Sequence, residues 1–239
     1  GWRKMASTVA LSDVHREPDF SGTIFRPVDA APGARAGADA PESARLKRLL
    51  SDMSSTLMVM HDLPRVLEAV VDMLFDAFVI DRAFLLLHDP VEETLVPRVA
   101  RRADRTPLTD ARLSRTVVNT VMRDRVAMLA EDAQHDERLD MAASIVGLNI
   151  RSFMCAPLWN RDRVIGVLYV DNPMSRRFTE DDLNVLVALA NCAAVAIEQA
   201  RLTEQVLEET RRRERLQRYH SPSVVDRILN ASDDTGAFD

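Results

Sequence analysis

The chain has 239 residues, of which 46% are hydrophobic and 28% charged, with a formal net charge of -6 and an isoelectric point near 5.5. That is enough for one good domain with extensions, and the acidity argues against broad electrostatic binding to nucleic acid or to an anionic membrane. Two cysteines, Cys155 and Cys192, sit in apolar stretches, as expected of reduced, buried thiols in a cytoplasmic protein. The longest uncharged run, residues 183–197, is 15 residues long, short of the roughly 20 that span a bilayer.

In chain order, residues 1–43 carry little periodicity. FSGTIFRPV (20–28) reads as a short strand, and the Ala/Gly/Pro-rich 29–43 as a flexible linker. Leu46, Leu50, Met53, Leu57 and Met60 then form a heptad stripe. It fits packing onto its own domain, or a seam against a second copy. Asp62 is placed to cap a new helix with Pro64 in its first turn, whose apolar face is Leu63, Val66, Leu67, Val70, Val71 and Leu74.

RAFLLLHD (82–89) and TLVPRVARR (94–102) predict two neighbouring strands. Ser114–Arg123 predicts a helix, AMLAED (127–132) a strand and SIVGL (144–148) a helical stretch. RSFMCAPLW (151–159) and RVIGVLYVDN (163–172) predict a hairpin closed by Asn160, Arg161 and Asp162. The second strand is apolar on both faces, with Val164, Leu168 and Val170 alternating against Ile165, Val167 and Tyr169, so it belongs in the middle of a covered sheet.

Thr179 and Asp182 form a capping box that starts a helix running unbroken to Tyr219. Its second half thins to Val195, Gln199, Leu202, Val206, Glu209, Arg213 and Leu216 at heptad spacing, a weak coiled coil. Ser221-Pro222 stops it. A short amphipathic helix carrying Val224, Val225, Ile228 and Leu229 then follows, with only about ten residues after it.

No histidine has metal-ligand partners at the usual spacing, and no Gly-rich phosphate loop occurs among seven glycines. The chain is therefore not expected to be an enzyme in its own right.

The order helix, strands, helix, strands, long helix resembles the GAF domain, a small-molecule sensor module, over about residues 45–200. Residues 113–139 resemble the family's central helix, strand and polar loop, and residues 151–200 its paired central strands and closing helix. The implied fold is α+β, an α/β/α sandwich with a central antiparallel sheet, helices on both faces and a long C-terminal signalling helix.

Cyclic-nucleotide-binding members share a scattered Asn-Lys…Phe-x-x-x-Asp-Glu signature. Here Asn160-Arg161 and Phe178-x-x-x-Asp182 match in part, with Arg for Lys and Leu183 for the final Glu. A hairpin turn and a helix cap account for the same residues. The Cys-His pair of bilin carriers is absent, since neither cysteine precedes a histidine.

Because the family's ligand lies over the central sheet, the resemblance implies Phe84, Leu86, Met128, Ile145, Phe153 and Cys155 as inward site candidates, with Arg151 as an anion partner. Arg218–Leu229 resembles the segment preceding the catalytic domain of bacterial class III adenylate or guanylate cyclases. A helical hairpin folding back on its parent helix is the competing reading.

The expected plan is a linker over 1–43, a sensor with an N-terminal dimerisation helix over 44–200, a signalling coiled coil over 201–220, and the start of a linker to a cyclase over 221–239. The expected partners are a second copy of the chain, a small molecule such as a cyclic nucleotide, and a downstream cyclase in cis. A ligand-free dimerisation and coupling module is the alternative. The sensor of a histidine kinase or a transcription activator is another.

Overall fold

The structure, a computed structural model, describes residues 9–10, 23–27, 51, 55–57, 59–108, 113–130, 152–160, 163–172 and 178–217. Their strands form one antiparallel sheet of seven: β1 (Val9–Ala10), β2 (Thr23–Pro27), β3 (Arg82–Asp89), β4 (Thr94–Arg102), β5 (Val126–Ala130), β6 (Ser152–Asn160) and β7 (Arg163–Asn172). The spatial order is β1-β4-β3-β7-β6-β5-β2. Three helices cover the sheet: α1 (Leu63–Ala77), α2 (Arg115–Asp124) and α3 (Glu180–Gln217).

The strand expected at 20–28 is β2, which pairs with β5 along its whole length, from Thr23↔Ala130 to Pro27↔Val126. Part of the stretch assigned to a linker is thus sheet.

Alternation along the central strands sorts their side chains into two cores. Leu85 and Leu87 of β3, Met154, Ala156 and Leu158 of β6, and Leu168 and Val170 of β7 face α1 and α3. Phe84 and Leu86, Phe153 and Cys155, and Val167 and Tyr169 face α2. This is the period of two that a pleated strand imposes. Every residue from Ile165 to Asn172 is buried, as expected of a central strand covered on both sides.

One residue departs from the expected alternation. Ile165 joins the α1/α3 core rather than the side of Val167 and Tyr169. The register explains it: Leu158 pairs with Gly166 and Trp159 with Val164, which leaves Ile165 as the extra residue of a β-bulge. A second bulge lies in β4, where Leu85 pairs with Val99 and Leu86 with Pro97, skipping Arg98.

α1 buries Val66, Leu67, Val70, Val71, Leu74 and Ala77, the face its spacing predicts. Asp62 occupies the N-cap position, but its side chain does not cap the helix. It reaches Arg65 at 3.5 Å instead, one turn on. The pair is exposed, and such pairs contribute at most about 1 kcal/mol.

α2 is capped by Ser114, whose Oγ accepts from the Val117 N–H at 3.4 Å. It ends on Arg125 in the left-handed region, φ 58°. At the start of α3, Asp182 accepts from the Thr179 N–H at 2.9 Å, and the Asp182 N–H donates to Thr179 Oγ1 at 3.2 Å. This reciprocal capping box is the one the sequence implies.

Of the N-terminal heptad stripe, Leu57 is buried in the α1/α3 core of its own chain and Met60 packs against it. Leu46, Leu50 and Met53 lie outside the described residues, as does the helical stretch 144–148.

Gly166 follows the bulge residue Ile165 and pairs with Leu87 of β3. A Cβ there would collide with the Leu86 carbonyl oxygen and press on Leu87 and Leu158. Neither the backbone carbonyl nor two packed leucines can yield cheaply. Gly166→Ala is therefore expected to destabilise the fold by about 2–3 kcal/mol, read as a lower midpoint in urea at unchanged slope.

Candidate functional site

Five of the seven candidate residues converge on the α2 side of the sheet. Phe84 and Leu86 come from β3, Met128 from β5, and Phe153 and Cys155 from β6, all with no exposed surface. Val117, Val118 and Val121 of α2 close over them. Ile145 and Arg151 lie outside the described residues.

The centre of this face is Tyr169, which the candidate set omits. Its ring stacks on Phe153 with centroids 5.7 Å apart, and Phe84 meets it edge-on at 5.8 Å. The Tyr169 hydroxyl is buried and completes no hydrogen bond. It does approach the Asp171 carboxylate closely enough for each to feel the other. Burial pushes the phenol pKa well up, and the Asp171 charge adds to this. Its polar neighbour is thus the carboxylate that Arg82 already holds, a partner of the kind buried phenols nearly always find.

Asp171 itself is fully buried and grips Arg82 through two contacts, Nε to Oδ1 at 2.8 Å and Nη2 to Oδ2 at 2.5 Å. The Arg82 guanidinium also lies over the Phe84 ring, 5.7 Å from its centroid. Burial raises the Asp171 pKa above the usual carboxylate value, with Arg82 pulling the other way. Burial likewise works against the charge on Arg82, but its bonds to Asp171 outweigh it and the guanidinium stays protonated. A signal for both residues was in the sequence: Arg82 opens one apolar run and Asp171 follows another, and a charge inside a sheet needs a partner.

Ser152 ties this face to the long helix. Its hydroxyl donates to the Ala130 carbonyl at 2.9 Å and accepts from the Phe178 N–H at 3.3 Å. Phe178 is buried in the α1/α3 core. The two positions matching the cyclic-nucleotide signature at 178 and 182 thus have structural tasks, one in the core and one in the capping box. Arg161 lies outside the described residues.

Cys155 is no reactive thiol. It is fully buried, and burial pushes its pKa far up, so it stays protonated. Among the described residues no group of three His, Cys, Asp or Glu side chains is placed to hold a metal ion.

These features define a regulatory sensor fold, and comparison places it. The chain belongs to the GAF domain family, whose model matches residues 62–197, more than half of its length. No curated protein matches the sequence. Among solved structures, the free methionine-R-sulfoxide reductase of Neisseria meningitidis, in complex with its substrate, superposes with a TM-score of 0.55 at 22% identity, covering 70% of this chain and 95% of that one. The GAF domain of a phosphoenolpyruvate-protein phosphotransferase from Coxiella burnetii gives 0.54 at 18%, covering 70% and 99%. The corresponding Acinetobacter domain gives 0.53 at 20%, covering 69% and 97%. At such identities the likeness is one of fold.

α3 contains one window of mean hydropathy 1.5, apolar enough by length and composition to cross a membrane. Half of that window is buried in the domain, and the core helix of a water-soluble protein passes the same test.

The buried ion pair supplies a test. Removing Arg82 leaves an uncompensated carboxylate in the core, so Arg82→Met is expected to lose about 3–5 kcal/mol at neutral pH. A carboxyl whose pKa is raised on folding contributes stability that is full below its unfolded pKa and lost as pH rises through the folded one. Arg82→Met raises the folded value further, so denaturation melts at a series of pH values are expected to show the variant recovering in mild acid.

Proposed function

We propose that this chain is a cytoplasmic sensor that binds a small molecule on the Tyr169 face of its sheet and controls a cyclase joined at its C-terminal end through a paired α3 helix. The observation that carries this reading is the change of burial along α3. Leu183, Leu186, Leu189, Ala190, Ala193, Ala194, Ile197 and Ala200 are buried against the sheet. From Leu202 to Arg215 every residue is exposed.

The helix nevertheless continues for a total of 38 residues, roughly 57 Å at 1.5 Å per residue. Its apolar stripe is left facing water, with Val195 60%, Leu202 54% and Val206 67% exposed. These are the heptad positions read from the sequence. A stripe of that kind is covered most simply by the same stripe of a second copy.

The output enzyme is supported by the resemblance of 218–229 to the segment that precedes class III cyclase domains; those residues lie outside the described set. The Tyr169 hydroxyl supports a ligand with a hydrogen-bonding group. A cyclic nucleotide is one candidate, though Phe178 and Asp182 are already occupied.

The reductase among the structural neighbours suggests no such activity here. Sulfoxide reduction by a thiol needs an accessible thiolate, and Cys155 is buried and protonated.

A second reading, a coupling module that binds nothing, is favoured by the complete burial of Phe84, Met128, Phe153 and Cys155. Thermal-shift measurements with cyclic AMP, cyclic GMP and common metabolites separate the two. A ligand at a hundred times its Kd stabilises by about 2.7 kcal/mol, and Tyr169→Phe is expected to abolish that shift while melting normally without ligand. No shift with any compound favours the coupling module.

The helix pairing has its own test. Leu202→Glu with Val206→Glu is expected to weaken self-association by about tenfold or more in sedimentation equilibrium, equivalent to about 1.4 kcal/mol, with the domain's own melt unchanged.

A further inference from the structure

The opposite face of the sheet, the one that carries α1 and α3, holds a cavity of about 770 Å³. That is within the roughly 300–1,000 Å³ of small-molecule sites. It opens between the start of α1, the β3–β4 turn, the first residues of β7 and α3 around Arg201. Its floor is apolar, with Leu87, Val99 and Ile165 contributing. Both β-bulges border it, because their extra residues, Arg98 and Ile165, line the cavity. Bulges re-aim side chains, and they gather beside functional sites.

Four guanidiniums line it: Arg101, held by Glu68 and Asp72, and then Arg98 from β4, Arg163 from β7 and Arg201 from α3. Arg163 is held by Glu198 at 3.2 Å. Among the described residues, Arg98 and Arg201 make no hydrogen bond or ion pair.

Four more carboxylates line the cavity, and two of them are engaged elsewhere. Asp89 accepts from the Val91 and Glu92 N–H groups at 3.0 and 3.4 Å. Glu68 faces Arg101 at 3.6 Å. Glu204 and Glu208 are exposed on the part of α3 that leaves the domain. Burial lowers the pKa of Arg201; the like charges of Arg98 and Arg163 add to this, and the carboxylates of Glu198 and Asp89 oppose it. Three guanidiniums over an apolar floor, two of them without an ion pair among the described residues, leave donors for an anion lying between them.

We propose that this cavity binds an amphiphilic anion, a small molecule with a phosphate or carboxylate between Arg98, Arg163 and Arg201 and an apolar body on Leu87, Val99 and Ile165. None of Phe84, Met128, Phe153, Cys155 and Tyr169 lines this site, although Ala100 and Leu108 of the α2-side core reach its rim. Its position gives it a consequence that rests on the signalling reading of α3. Arg201 directly follows Ala200, the last buried residue of the helix, so a bound anion ties the root of the exposed rod to β4 and β7. Binding itself does not depend on that reading.

The probe is 8-anilinonaphthalene-1-sulfonate, an aromatic anion that fluoresces when it leaves water, titrated into the full chain. Expected are one saturable site, displacement by octyl phosphate but not by octyl glucoside, and an affinity that falls as salt rises. Arg98→Gln with Arg201→Gln is expected to weaken binding at least tenfold while melting as the parent does, and Tyr169→Phe to leave it unchanged.

The proposal is overturned if the double variant binds equally well or if octyl glucoside competes as strongly. Loss of binding in Tyr169→Phe also overturns it, by moving the anion to the other face. So does a stable dimer that excludes the dye and that the double variant splits, because a second copy then fills the groove.

Discussion

A central strand buried on both sides is the constraint from which the rest of this fold follows. β7 lies between β3 and β6, so each step along it moves a side chain from the α2 compartment to the α1/α3 compartment. Polar groups on such a strand cannot reach water, and each needs a partner inside. Asp171 finds Arg82 on the neighbouring strand, and the Asn172 amide donates to the Val79 carbonyl at 3.3 Å. Tyr169 alone is left without a completed bond. That exception falls at the centre of the aromatic cluster, where the family's ligands are expected.

The same alternation explains how much of the molecule could be read from its residues. β3 and β4 fall at the residues their apolar runs mark, and the hairpin of β6 and β7 does so to within one residue, because short apolar runs between turn signals read as buried strands. The candidate site was legible as a face: Phe84, Leu86, Met128, Phe153 and Cys155 do lie together. What escaped were features set by pairing between strands. Ile165 changes sides because of a bulge whose origin is the register of β6 against β7, and no local pattern announces it. The Arg82–Asp171 pair spans 89 positions. Asp62 shows the opposite error, a residue of the right type at the cap position that turns to Arg65 instead.

α3 is two helices in physical terms, joined without a break. Up to Ala200 it is a core element, held by apolar burial worth about 1.5–3 kcal/mol for each large side chain. Beyond it, local charge pairs add only a few tenths of a kcal/mol each. An isolated helix of about fifteen residues is marginal in water, so the distal half borrows its order from the buried half or from a partner. A segment so poised responds to small changes at its base.

α3 is also the element that both faces of the sheet reach. The Ser152 hydroxyl links β5 to the residue preceding the capping box of α3, and Arg201 leaves the same helix toward the bulges of β4 and β7. A change on the Tyr169 side therefore has a hydrogen-bonded route to the first turn of α3, and one on the arginine side acts about six turns later, at its point of departure. A ligand moves this equilibrium only by binding one arrangement of the rod better than another. Two ligands that both favour one arrangement must each raise the other's affinity by the same factor. On the proposed readings, the physical content of regulation in this domain is thus a single coupling energy between two faces of one sheet, carried by the helix that both touch.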